Sequence, residues 1–223
     1  VYGIAKMLNF AHGDVIMIGS YVVYFAFGAS GLNPVLSIVL SMIVCTILGV
    51  VIERLAYRPL REAPSLAVLI TAIGVSYLLQ QVAQLSWSSN PKSFTSVVSG
   101  MKPVSLFGGQ LTISAETIVT IVACVVIMVV LMWFVNYTPA GHAMLAVSED
   151  RGAAQLMGVN VNGTISLTFA IGSALAAIAG ALLCSSYPTL QPTTGAMPGI
   201  KAFVAAVFGG IGSIPGAMVG GIL

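Results

Sequence analysis

Long apolar runs separated by short polar breaks make up most of this chain. Four of the runs, at 35–52, 65–86, 114–135 and 164–186, have about the twenty residues that an α-helix needs to cross a bilayer. Together they carry one charged side chain, Glu116. The pattern therefore predicts four membrane-spanning helices. Small residues within them, such as Gly74 and Gly180, are expected to permit close helix contact.

Other apolar stretches are shorter and follow breaks that a regular helix does not pass through smoothly. The break 9–14 (NFAHGD) precedes an apolar run at 15–29, and the break 188–199 (PTLQPTTGAMPG) precedes a run at 200–208. The sequence GGIGSIPG at 209–216 interrupts the chain again. Irregular backbone at membrane depth is tolerated only where protein or a water-filled cavity satisfies its polar groups. We therefore expect an all-α polytopic membrane protein with about six or seven spans or half-spans, some of them broken.

The breaks occupy similar places in the two halves of the chain. In the first half, a helix tail at 1–8 leads through the break into a short run and a span; in the second, the span 164–186 leads through a break into a short run. Because one break lies near each side of the membrane, the pattern indicates an inverted repeat, and matched breaks point to a transport path. Helix packing is the alternative, since Gly and Pro are common in membrane helices. The candidate path residues are Asn9, His12, Gly13, Asp14, Gly209, Gly210 and Gly212.

Two residues of the first break have specific predictions. Asp14 precedes an apolar run and is predicted to cap the helix that follows. His12 is either a structural partner of that cap, beside Asn9, or a group that binds a proton or the substrate.

Composition supports the membrane assignment. Hydrophobic residues make up 58% of the 223 and charged residues 6%, whereas about a quarter of a soluble domain is charged. The net charge of +2 is scattered and forms no patch for nucleic acid. All three cysteines lie in apolar runs, without metal-ligand spacing. The chain starts at Val1 and stops at Leu223 inside an apolar run, so we expect a fragment, cut at both ends, of a single permease domain covering 1–223.

Charged loops predict the orientation. The segment 53–64 (ERLAYRPLREAP) is expected to be an aqueous loop, and its arginines mark the cytoplasmic side. Counting spans from it places the polar loop 87–113 outside and the polar segment 136–163 inside again. The arginines of this cytoplasmic loop are Arg54, Arg58 and Arg61.

The segment 136–163 is the longest polar interval between two spans. Ser148 is predicted to cap a short helix whose apolar side includes Leu156, and Gly158 is placed to end it in a left-handed conformation. Such a helix is either a passive interfacial segment or a docking surface for a soluble partner. The residues of this candidate coupling segment are Ser148, Glu149, Asp150, Arg151, Ala153, Ala154, Leu156, Met157 and Gly158.

The order of several motifs resembles one family. The stretches LNFAHGDVIMIGSY, ERLAYRPLRE, AIGVSYLLQ, SEDRGAAQLMGVNVN and GIKAFVAAVFGGIGSIPGAMVGG resemble the permease subunit of branched-chain amino acid ABC importers. The resemblance implies a heterodimer with a paralogous permease in the bacterial inner membrane, two cytoplasmic ATPases that bind ATP and Mg, and a periplasmic binding protein. It implies no cofactor on this chain and makes 136–163 the coupling loop. The residues that match the family's loop motif are Glu149, Asp150, Ala153, Ala154 and Gly158.

Other functions fit the sequence less well. The sequence has no Ser-His-Asp order, no phosphate-binding loop and no metal cluster, so it does not predict an enzyme. A secondary transporter needs ionisable groups inside its spans, and a channel needs a polar or charged pore ring. The closest alternative is a sister ABC permease for urea or short-chain amides. The sequence does not specify the substrate, whose selection we expect to rest mainly with the binding protein.

Overall fold

The computed structural model describes residues 9–61, 63–98, 104–106 and 111–222. Its helices are α1 (His12–Val23), α2 (Pro34–Ile52), α3 (Ser65–Trp87), α4 (Ala115–Tyr137), α5 (Pro139–Glu149), α6 (Arg151–Leu156), α7 (Val161–Ser186), α8 (Ala196–Phe208) and α9 (Ile214–Ile222). Two of these helices continue in other helical forms. A π-helix, Tyr24–Ala29, follows α1, and a π-helix (Glu53–Tyr57) and a 3₁₀-helix (Arg58–Leu60) follow α2.

The strands are short and lie between helices. They are β1 (Lys92–Ser93), β2 (Val104–Leu106), β3 (Leu111–Ile113) and β4 (Thr189–Leu190). β1 pairs antiparallel with β4, and β2 pairs antiparallel with β3.

The four predicted spans are confirmed. In the described part of the chain, four helices are long and apolar enough to cross a membrane, and they match the runs predicted from the sequence: Pro34–Leu60, Leu66–Trp87, Ala115–Tyr137 and Val161–Ser186. With α1, α8 and α9 they form a polytopic all-α architecture. The predicted helix tail at 1–8 lies outside the described residues, so the inverted repeat stays a prediction.

α1 is the central helix. Almost all of its residues from Gly13 to Tyr21 are buried, and it contacts α2, α3, α7 and α8. A Cβ atom on Gly180 of α7 would lie 2.5 Å from the carbonyl oxygen of Ile16, and one on Gly19 would lie 2.8 Å from the Cα of Ala177. The backbones of α1 and α7 therefore meet where glycine leaves out a side chain, as small residues permit in membrane helix pairs.

The two ends of α7 contact different polar segments. Near its first residue, Arg61 donates a hydrogen bond to Asn162. Near its last, the Val97 amide donates to Ser185 Oγ over 3.3 Å. Because α7 has 26 residues, these contacts are separated by about 35 Å along its axis. We call the end with Arg61 the arginine end. It holds both the arginine segment and the start of α7, so the two polar segments lie at the same end of the fold.

Three local predictions were wrong. Asp14 does not cap a helix, because α1 begins at His12 and Asp14 lies in its first turn, buried. The segment 53–64 is not an open loop, since helical backbone continues to Leu60 and buries Tyr57. Gly74, expected to allow close helix contact, has open space where a Cβ would lie.

Replacing Gly180 by alanine tests the central packing. The new Cβ would meet backbone and the Ser20 hydroxyl at 2.6 Å, so α1 and α7 must separate. We expect Gly180→Ala to lower the free energy of unfolding by about 1–3 kcal/mol, measured by thermal unfolding in detergent. Gly74→Ala, in open space, is the matched control and should be neutral or slightly stabilising. Equal melting temperatures for the two variants would contradict this packing.

Candidate coupling surface and transport junction

The polar segment between α4 and α7 holds two helices in place of the one predicted. Thr138 Oγ1 accepts a hydrogen bond from the Gly141 amide at 3.0 Å, and Pro139 occupies the first helical position, so α5 starts there. Ser148 therefore lies inside α5, where its hydroxyl donates to the Leu145 carbonyl over 2.6 Å. The predicted Ser148 cap is wrong because the Thr-Pro signal begins a helix ten residues earlier.

Asp150 caps α6 instead. Its Oδ1 accepts hydrogen bonds from the Gly152 amide at 2.7 Å and the Ala153 amide at 3.1 Å. Gly158 has φ +86°, the left-handed conformation predicted for the end of this helix. The cap and the glycine thus define a helix of less than two turns.

The apolar residues of α6 and its C-cap divide between two environments. Ala154 is buried, as are Met144 and Val147 of α5, which anchor the pair of helices to the rest of the fold. Leu156 and Met157 are 90% and 84% exposed. The structure therefore presents two large apolar side chains at the arginine end, close to the exposed Ala153 and to Ser148, Glu149, Asp150 and Arg151.

A polar cluster ties the end of α2 to the beginning of α7. Glu53 is fully buried and forms an ion pair with Arg61. Ser166 Oγ donates to the second carboxylate oxygen of Glu53 over 2.6 Å, and Arg61 also reaches Asn162. The sequence pattern predicted an aqueous position for Arg61 and no role for Glu53, although Glu53 is a carboxylate directly after an apolar run. This Glu53–Arg61 clasp joins the arginine segment to the helix that follows α6.

The N-termini of α1 and α8 meet inside the fold. A Cβ on Gly13 would lie 2.4 Å from the Gly195 carbonyl oxygen and 2.9 Å from the Gly199 Cα. The rings of Phe10 and Phe203 are 5.4 Å apart, so α8 runs from Gly13 back past Phe10, opposite to α1. Neither N-terminus has a side-chain cap. We call this head-to-head contact the transport junction, because it brings together the breaks 9–14 and 188–199 of the predicted transport path.

Asp14 is the charged residue at this junction. Ser76 and Gln80, both near the middle of α3, donate hydrogen bonds to its two carboxylate oxygens, Gln80 over 2.9 Å. Asn9 Oδ1 accepts a hydrogen bond from the Tyr57 hydroxyl at 2.9 Å, and the His12 amide contacts the Asn9 carbonyl at 3.3 Å. The side-chain partners of Asn9 and Asp14 lie 48 to 66 residues away in the sequence, so local patterns did not indicate them.

Gly209, Gly210 and Gly212 do not reach the junction. They form the turn between α8 and α9, in which Gly210 and Gly212 have φ of +84° and +100°. A Cβ on Gly209 would lie 2.0 Å from the Gly216 carbonyl oxygen. The 13 residues of α8 separate this turn from Gly195 by about 20 Å. These glycines close a tight helical hairpin, away from the other candidate path residues, and their part in the path stays a prediction.

Comparison with known proteins gives the family. The model of the permease component of branched-chain amino acid transport systems matches residues 1–223. The chain belongs to this family. The permease is 44% identical to the high-affinity branched-chain amino acid transport system permease protein BraD of Pseudomonas aeruginosa, over 100% of this chain and 76% of BraD.

Two proteins named LivH also match. The permease is 41% identical to the high-affinity branched-chain amino acid transport system permease protein LivH of Escherichia coli, over 100% of this chain and 75% of that protein. It is 31% identical to a probable branched-chain amino acid transport permease protein LivH of Methanocaldococcus jannaschii, over 96% and 68%. No solved structure matches. The protein is thus a multi-pass membrane permease.

Removing one partner of the clasp should destabilise the permease. Arg61→Ala leaves the Glu53 carboxylate buried without its counter-charge, and we expect a loss of about 3–5 kcal/mol in the free energy of unfolding. In Glu53→Gln/Arg61→Met both charges are gone and Ser166 keeps an acceptor, so most of the loss should be recovered. Chemical unfolding in detergent micelles measures both. A double variant no more stable than Arg61→Ala would contradict a paired buried charge.

Proposed function

We propose that the permease is the membrane-spanning subunit of an ATP-driven importer that moves branched-chain amino acids into the cytoplasm. The observation that carries the proposal is the exposed Leu156–Met157 pair on a capped helix at the arginine end. Its companions would be a paralogous permease, two ATPases that hold ATP and Mg and hydrolyse the nucleotide, and a periplasmic binding protein. The cytoplasmic position of the arginine end and the inner-membrane location are part of the proposal.

The proposed coupling begins at α6. Leu156 and Met157 would enter a groove on an ATPase, because burying large apolar side chains away from water lowers the free energy. Asp150 and Gly158 fix the two ends of α6, so a displacement of the groove moves the helix as a unit.

Movement of α6 can then reach the centre of the fold. Residues 157–160 join α6 directly to α7, and the Glu53–Arg61 clasp joins the start of α7 to the end of α2. α7 in turn contacts α1 through Gly180 and Ile16. The chain of contacts from ATPase groove to transport junction is therefore continuous.

The transport junction is the proposed place where substrate passes. Two uncapped helix N-termini converge there, and the positive ends of helix dipoles favour the carboxylate that every amino acid carries. Asp14 lies beside them with both oxygens engaged by α3. Asn9, His12 and Gly13 belong to this part of the proposed path. Gly209, Gly210 and Gly212 would contribute by fixing the hairpin between α8 and α9.

A sister permease for urea or short-chain amides is the alternative function. The names of BraD and LivH favour branched-chain amino acids. Uptake of labelled leucine, isoleucine and valine by the full-length complex, with urea and acetamide as competitors, separates the two. We expect ATP-dependent uptake of leucine. Transport of urea but not of leucine would support the alternative function.

Substitution of Leu156 tests the coupling surface. Leu156→Asp removes a contact worth on the order of 2–3 kcal/mol, so we expect ATPase affinity to fall roughly 30- to 150-fold. The side chain is 90% exposed in the free permease, and membrane insertion should be unchanged. Co-purification of ATPase with the full-length complex is the measurement.

Two neighbouring variants calibrate that result. Asp150→Ala removes the α6 cap and should weaken ATPase binding by about 1 kcal/mol. Ser148→Ala removes a hydroxyl that bonds within α5 and should change little. Undiminished ATPase binding by Leu156→Asp would leave α5 and α6 as a passive interfacial segment.

Substitution of Gly13 tests the junction. The Cβ of Gly13→Ala would meet the Gly195 carbonyl at 2.4 Å and force α8 away from α1. We expect ATP-dependent uptake to fall about tenfold or more, since misplacement by ~1 Å can cost two orders of magnitude, while ATPase co-purification persists. Gly28→Ala, whose Cβ meets nothing within 4 Å, is the control. Wild-type uptake by Gly13→Ala would remove the junction from the path.

A further inference from the structure

A cavity of about 550 Å³ opens between α2 and α7 at the arginine end. Its lining includes Asn162 and Ser166, which contact Arg61 and Glu53 of the clasp, and it includes no residue of the transport junction. Its polar wall consists of arginine, asparagine and serine side chains, and its apolar wall continues along the two helices. Its lining includes Arg54, Arg58, Ser166, Val50, Leu167 and Ala170.

The charge in this cavity is positive and uncompensated within the described residues. Arg54 and Arg58 are four residues apart on helical backbone, so both project from the same face, and both are exposed. No carboxylate lines the cavity in the part of the chain that the structure describes. The nearby Glu53 is buried and satisfied by Arg61 and Ser166. Two guanidinium groups without an acid between them match the oxygens of a phosphate group.

The depth of the two arginines corresponds to lipid headgroups. The span begins at Pro34, and about twenty helical residues cross the 30 Å hydrocarbon core. Counting from Pro34, the core ends close to Glu53. Arg54 lies at its edge and Arg58 about 6 Å beyond, the level at which phospholipid phosphates are found.

The apolar wall extends from the arginines toward the membrane interior. Val50, Leu167 and Ala170 line the cavity, and on the same helix as Val50 the exposed side chains of Ile47 and Val51 continue the surface. A cavity with a charged opening, or mouth, and an apolar wall suits an amphiphilic ligand. A free anion would use only the mouth.

We propose that this cavity binds an anionic phospholipid, with its phosphate between Arg54 and Arg58 and one acyl chain along Val50, Leu167 and Ala170. Basic pockets between transmembrane helices on the cytoplasmic side are the kind of site that holds anionic headgroups. The bound lipid lies against the clasp that joins α2 to α7. This proposal is independent of the transported substrate and of ATP coupling.

Lipid binding to the full-length complex tests the site. The purified, delipidated complex is mixed with phosphatidylglycerol or phosphatidylethanolamine of identical acyl chains, and bound lipid is counted by native mass spectrometry. Arg54→Gln/Arg58→Gln should retain roughly 30-fold less phosphatidylglycerol than the unaltered complex. Lys92→Gln/Lys201→Gln removes two charges outside the cavity and is the matched control, expected to bind like the unaltered complex.

A second variant distinguishes loss of lipid binding from loss of folding in the arginine double variant. Ala170→Phe fills the apolar wall of the cavity and keeps both arginines. It should also lower phosphatidylglycerol occupancy, whereas a site for free phosphate would be unaffected. Equal phosphatidylglycerol occupancy in Arg54→Gln/Arg58→Gln and in the unaltered complex overturns the proposal. So does full displacement of the lipid by millimolar inorganic phosphate. Loss of ATPase subunits from the arginine pair at unchanged lipid occupancy would assign the two arginines to a partner protein.

Discussion

The close approach of α1 to α7 and α8 is the constraint on which the rest of the fold depends. α1 carries the buried Asp14 and occupies the centre, and it fits there because Gly13, Gly19 and Gly180 leave backbone against backbone. Any Cβ at these positions would lie within 3 Å of a neighbouring main chain. Helices held at this distance move together, since packed interiors deform little.

The same rigidity makes the arginine end mechanically useful. α6 exposes Leu156 and Met157, and α7 starts four residues after Met157. The Glu53–Arg61 clasp attaches that start to α2 through a buried charge pair, which holds one geometry better than exposed polar contacts do. The proposed lipid and ATPase sites are neighbours at this end, because Asn160, three residues after Met157, lines the cavity.

Sequence patterns predicted the spans well because apolar length is a local property. They failed where a residue had two locally acceptable roles. Asp14 satisfies the rules for a helix cap, but its partners Ser76 and Gln80 are more than sixty residues away. Ser148 and Asp150 are both good caps, and the earlier Thr138–Pro139 start decided between them. Gly74 and Gly180 look alike in sequence; only the neighbouring helix distinguishes them.

The partners of Asp14 also order the assembly of the protein during synthesis. The buried Asp14 carboxylate is costly in an apolar environment until hydrogen bonds satisfy it. Its hydrogen-bond donors Ser76 and Gln80 leave the ribosome 62 and 66 residues later. α1 therefore gains its full stability in the bilayer only after α3 has been made.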